Sequence, residues 1–107
     1  MPSESPEARA IFAANQLLSG RIGALEAVRL LLPLLHQDST IVSQSDFNSI
    51  RGIDSETDHL PIGRVREEWH PEYLPEKDRE IARCEGFYRD RVRAVCERIL
   101  QRYQRIR

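Results

Sequence analysis

No stretch of eighteen or more apolar residues occurs in the chain, so nothing in it reads as a membrane-spanning helix. The opening residues, Met1-Pro2-Ser3-Glu4-Ser5-Pro6-Glu7, are acidic and lack the basic and apolar regions of a secretory signal. Cysteine is scarce: Cys84 and Cys96 are the two present. Both fall in one expected helix, where twelve positions separate them by ~18 Å along the axis, too far to bridge. Two unpaired thiols without an export signal make the cytoplasm the expected compartment. Lysine is almost missing, since fifteen of the 16 basic residues are arginine, which reads as the codon bias of a GC-rich genome more than as chemistry. Walker loops, the Rossmann glycine pattern and the Gly-x-Ser-x-Gly elbow are also missing.

What remains is ordinary globular material. The 107 residues suffice for one domain, spanning 1–107, with one core. A composition 40% hydrophobic and 31% charged excludes wholesale disorder. The net charge of -1 gives the whole molecule no bias towards nucleic acid or anionic membrane. The halves differ: residues 1–63 carry four arginines against eight acids, and residues 64–107 carry twelve bases against nine acids. Either the C-terminal part folds back on the acidic part or it presents a basic binding face.

Helical spacing dominates. Ser5-Pro6 caps and opens a first helix, Ala8, Ile11, Phe12 and Leu18 mark its apolar stripe, and Ser19-Gly20 ends it. A second helix runs from about Ile22 to His36, with leucines all round its axis, so it is expected at the centre; Pro33 predicts a kink or early end. After a loop over His36–Thr40, Ser45-Asp46 caps a short helix through Ile50 that Gly52 stops. Ser39–Ser43 is the single weak candidate for a strand. Past an acidic loop comes a turn or two around Val65 and Trp69, broken by His70-Pro71. One long helix then runs from about Pro75 to Tyr103, with Ile81, Cys84, Tyr88, Val92, Val95, Ile99, Tyr103 and Ile106 in a continuous stripe. Gly86 in its middle predicts a close approach by a crossing helix. The fold class is therefore all-α: a small bundle of three main helices plus one or two short ones, the last helix antiparallel to the second. The C-terminal end of that helix is expected to overhang, which allows a homodimer.

The acidic stretch Asp54-Ser55-Glu56-Thr57-Asp58-His59-Leu60-Pro61-Ile62-Gly63 holds the densest chemistry. Carboxylates followed by an imidazole could hold a divalent cation or orient a general base. The spacing matches neither the EF-hand loop nor the zinc pattern His-Glu-x-x-His. Other ligands on offer are His36, His70, Glu67 and Glu68, which form no second cluster, so no metal or cofactor is expected. A structural reading gives Ser55–Asp58 a capping box, Asp54 an Asx-turn, and Arg64 and Arg66 the neutralising charges. A third reading turns Glu56, Asp58, His59 and the lone Trp69 towards a partner. Cys84 and Cys96 read as core thiols rather than nucleophiles. Arg89, Arg91, Arg93, Arg98, Arg102, Arg105 and Arg107, with Tyr88 and Tyr103, form either an RNA-binding face or a solvated one; nucleic acid is not the expected partner.

Ile53–Gly63, with Arg66, Trp69 and the Lys77-Asp78-x-Glu80 helix, resembles a segment of small uncharacterised bacterial proteins, over about the last two thirds of the chain. That resemblance implies no activity. The size, helical character and charge-dense loop are similar in class to all-helical bacterial immunity proteins, which block a cognate toxin by direct binding. The expectation is a non-enzymatic protein-binding module that covers a basic active site with its acidic loop. A small metal-dependent enzyme or sensor using Asp54, Glu56, Asp58 and His59, and an RNA-binding accessory protein using the arginine-rich helix, are the alternatives.

Overall fold

The computed structural model describes residues 4–104. Ser5 opens α1 (Pro6–Leu18): its hydroxyl accepts from the Ala8 N–H at 3.0 Å, and Pro6 stands where a missing N–H costs nothing. The face it buries is Ala10, Ala13, Ala14 and Leu17. The stripe is thus rotated from the expected one: Phe12 is 62% exposed, and Ile11 and Leu18 sit at the edge of the core. Small alanines let neighbouring helices come close, and that contact outweighs burial of the largest ring. Gly20, at φ +81°, supplies the left-handed turn after Ser19 that a side chain would resist.

The second helix, α2 (Ala24–Gln37), buries Ala24, Leu25, Ala27, Val28, Leu31, Leu34 and Leu35 and packs on α1, α3 and α4, the expected central position. Pro33 does not end it early. The proline lies on the exposed side, and burial of Leu31, Leu34 and Leu35 around it carries the helix on to Gln37. Ile41 and Val42 tuck into the core from the following turn, and no strand occurs among the described residues.

α3 (Gln44–Thr57) departs most from expectation. Its cap is Ser43, whose hydroxyl accepts from the Asp46 N–H at 3.1 Å, and it runs straight through Gly52. Ile50, Ile53 and Thr57, buried on either side of the glycine, hold the helix together across it. Residues 54–57 are therefore its last turn, not a loop, and Asp58 is its C-cap. Buried Leu60 and Pro61 lead into a 3-10 helix, Gly63–Glu68, which buries no residue fully.

α4 (Leu74–Gln104) has 31 residues, ~46 Å at 1.5 Å each, against ~21 Å for α2 or α3. Its buried residues are Tyr88, Val92, Val95, Cys96 and Ile99, with Ile81, Cys84 and Tyr103 partly covered. The overhanging end is consequently the N-terminal one, where the 3-10 segment partly shields it; the C-terminal half lies in the bundle. Ile106, Arg105 and Arg107 fall outside the described residues. Gly86 is exposed and nothing lies within 4 Å of where its Cβ would be, so no crossing helix explains it.

Glu85 meets the start of α2, and Arg102 reaches the Ile41 carbonyl just past the end of α2. α2 and α4 therefore run the same way, opposite to the expected antiparallel packing. Asp46 near the start of α3 meets Arg98, and Glu56 near its end meets Tyr88, so α3 is antiparallel to α4. The reversal has a simple cause: a full-length α3 between α2 and α4 adds one more change of direction. α1 and α3 flank the α2–α4 pair, and all four contribute to one core. Among the described residues, no helix is long and apolar enough to cross a membrane.

Candidate functional site

The last turn of α3 carries Asp54 and Glu56, Asp58 caps it, and no base stands in that turn. Carboxylates at a helix C-terminus face the negative end of the dipole, so each needs another partner or stays unfavourable. Arg29 of α2 supplies one. Its Nη2 donates to the Thr57 carbonyl, and its Nε lies 3.2 Å from Asp54 Oδ1. The Thr57 hydroxyl donates back to the Ile53 carbonyl at 2.7 Å, so this turn is closed on its inner side. Asp54 thus braces the fold through an inter-helix ion pair, not through an Asx-turn. Ser55 is exposed within the helix, and the Ser55–Asp58 capping box does not form, because those residues end a helix instead of starting one.

Glu56 and Asp58 part company. Glu56 turns towards α4 and accepts from the Tyr88 hydroxyl. That hydrogen bond, then burial, holds the Tyr88 phenol above its ordinary pKa. Asp58 is exposed and takes part in no ion pair among the described residues. His59 Nε2 lies 2.7 Å from Glu80 Oε2 on α4, and this contact is the main reason the Glu80 carboxyl titrates below its ordinary range. Lys77 reaches Glu80 at 3.5 Å and also sits 5.8 Å above the half-buried Trp69 ring.

Arg66 does not neutralise the α3 acids. It forms a bidentate pair with Asp78 at 2.6 and 3.2 Å and also reaches the Pro61 carbonyl at 3.3 Å, tying the 3-10 segment to α4. Arg64 is exposed and joins no ion pair among the described residues. The four side chains considered as one ligand set face four ways: Asp54 to α2, Glu56 to Tyr88, Asp58 to solvent, His59 to Glu80. Among the described residues no three His, Cys, Asp or Glu side chains gather as a metal site would require.

The thiols offer little nucleophilic character. Burial pushes Cys96 up to about 12 and raises Cys84 as well. Part of the arginine-rich face of α4 is engaged at home: Arg98 grips Asp46 at 2.7 and 2.8 Å, and Arg91 lies 5.6 Å over the Tyr88 ring.

Sequence reasoning passed over Arg29, Glu85 and Phe87. Glu85 accepts from the N–H groups of Ala24 at 2.7 Å and Leu25 at 2.9 Å, capping α2 from α4. A readable signal existed, because Gly23 at the N-cap has no side chain to do the job. Phe87 is 71% exposed on the rim of a groove of about 320 Å³ between α3 and α4. No protein-family model matches the chain, and comparison with curated proteins and with solved structures finds no match.

Proposed function

We propose that this is a non-enzymatic protein-binding module of the immunity type, a bacterial cytoplasmic inhibitor of a cognate toxin or a similar small partner protein. Its contact surface is the outer end of α3 with the segment that follows: Asp58 and His59 at the centre, the free oxygen of Glu56 on one side and Trp69 on the other. The observation that carries this reading is Asp58, an exposed carboxylate at the negative end of α3 that joins no ion pair among the described residues. Such a placement costs roughly 0.3–1 kcal/mol. Arg29 offsets the cost at Asp54 but not at Asp58, and a basic surface on a partner would do so. Trp69, already half-buried beside the cationic Lys77, gives the patch the aromatic anchor that protein interfaces favour.

The test takes the product of the neighbouring gene, expected to be a toxin domain, as the binding partner in stopped-flow association. Asp58→Asn should leave stability within ~0.5 kcal/mol of wild type. It should slow association, with the loss shrinking as salt rises, because a rim charge acts mainly on encounter. Association unchanged by Asp58→Asn at low salt would move the contact surface elsewhere on the molecule.

A further inference from the structure

Residues 62–87 include the first half of α4, yet none of them is fully buried. In α1, α2 and α3 the buried residues run along each helix, whereas burial in α4 begins at Tyr88. Ile62, Ile81 and Cys84 reach only the edge of the core. A cavity of about 200 Å³, lined by Ile62, Arg66 and Ile81 of this stretch and by Gly23 and Glu26 at the start of α2, leaves that contact incompletely filled. The stretch is tied to itself more firmly than to the bundle. Arg66 holds Asp78 at 2.6 and 3.2 Å, and Lys77 meets both Glu80 and the Trp69 ring. Among the described residues its polar ties outwards are three: Glu85 to the start of α2, Arg66 to the Pro61 carbonyl, and Glu80 to a His59 side chain that is 50% exposed.

A glycine stands at each end of the stretch. Gly63, at φ +71°, turns the chain out of the core after buried Leu60 and Pro61. Gly86 lies inside α4 just before burial begins, without a positive φ and with nothing within 4 Å of where its Cβ would be. Neither conformation nor packing asks for glycine at 86, but a helix breaks most cheaply there. We infer that residues 63–86 form one unit that undocks from the bundle about Gly63 and Gly86 while α1, α2, α3 and the rest of α4 stay closed. Once undocked, its helical part has no tertiary contact to support it and unravels back to Gly86. Trp69 belongs to the unit, whereas Asp58 and His59 stay with the bundle. The partner surface proposed above, if that reading holds, is therefore whole only while the unit is docked. The unit itself needs no partner, so the free chain tests it, and failure of toxin binding would leave it standing.

Amide hydrogen exchange of the purified full chain, followed residue by residue by NMR, reads the opening directly. The amides of residues 79–85 should share one opening constant, at least ~100-fold larger than that of residues 92–99. Arg66→Ala removes the pair with Asp78 and should raise the constant of all these amides together, by about 3-fold. Gly86→Ala should lower it by about 5-fold, the helix preference of alanine over glycine. Gly52→Ala, at an equally exposed and uncrowded position in α3, should leave it unchanged. Four results would each overturn the inference. Residues 79–85 could open no more readily than residues 92–99, or their constants could climb smoothly towards Leu74, as in simple fraying of a helix end. Arg66→Ala could alter only the amides next to Asp78, or Gly86→Ala could act no more strongly than Gly52→Ala.

Discussion

A carboxylate sixty-one positions away does for α2 what Ser5 and Ser43 do locally for α1 and α3. Ser5 was legible because its acceptor and the N–H it serves lie three residues apart. For α3 the run of serines allowed the cap to be placed two residues late, at Ser45. Glu85 was not legible at all: it reads as one more acid on a charged helix until the chain closes. Gly23 is part of the same device, since a Cβ there would come within 2.8 Å of Glu85 Oε1. Removing the carboxylate should strip two N–H groups of their partner at once. Glu85→Ala should lower stability by about 1–2 kcal/mol, the upper range for a lost cap, read from the thermal or urea midpoint. Glu85→Gln keeps an oxygen acceptor and should lose less. Equal melting of Glu85→Ala and wild type would show that water caps α2 just as well.

At the scale of elements, α4 and α3 mark the two ends of legibility. The stripe of α4 repeats over many turns, so its limits were read to within a residue and its buried members in large part. α3 holds a glycine in its middle and acids at the wrong end of its dipole, two signals that ordinarily stop a helix. Both were overridden from outside the segment, by burial of Ile50 and Ile53 and by the guanidinium of Arg29. The error carried over into the candidate site. Glu56 and Asp58 share a side in an extended loop, but two residues apart in a helix they point away from each other. The structural role expected for Asp54 rests on a partner, Arg29, that local reasoning had no means to name. Asp54→Asn should cost about 0.5–1 kcal/mol, as befits a pair about one quarter exposed on each side. Arg29→Ala should cost more, about 1–3 kcal/mol, because the Thr57 carbonyl loses its donor as well. Urea denaturation of both variants checks the order. If Asp54→Asn were the more damaging, Arg29 would not be serving as the C-terminal cap of α3.

For the whole molecule, the opposed charges of the two halves are answered at few points. Among the described residues, Asp46 with Arg98 joins an acid of the first half to a base of the second; His59 with Glu80 also crosses but in the opposite sense, and Arg29–Asp54, Arg66–Asp78 and Lys77–Glu80 each lie within one half. Electrostatic attraction between halves is therefore a lesser organiser of this bundle than the apolar faces of its helices. The pH dependence should reflect that. Asp78 beside Arg66, Glu80 beside His59, and Asp38 hydrogen-bonded by Thr40 all titrate below the ordinary carboxyl range in the folded chain. The unfolded chain binds those protons more readily, so their stabilisation is complete above the ordinary carboxyl pKa of ~4 and is lost as pH falls through the lower folded values. Asp78 is exposed and Asp38 and Glu80 are partly so, which limits each contribution and leaves it open to screening by salt. The melting temperature should thus stay level from about pH 7 to about pH 5 and decline gradually towards about pH 3. The decline should be shallower in Asp78→Asn, which has already given up its share, and shallower again at high salt. A melting temperature that does not change between about pH 5 and about pH 3 would mean that these pairs add nothing, leaving the apolar core and the caps to hold the bundle alone.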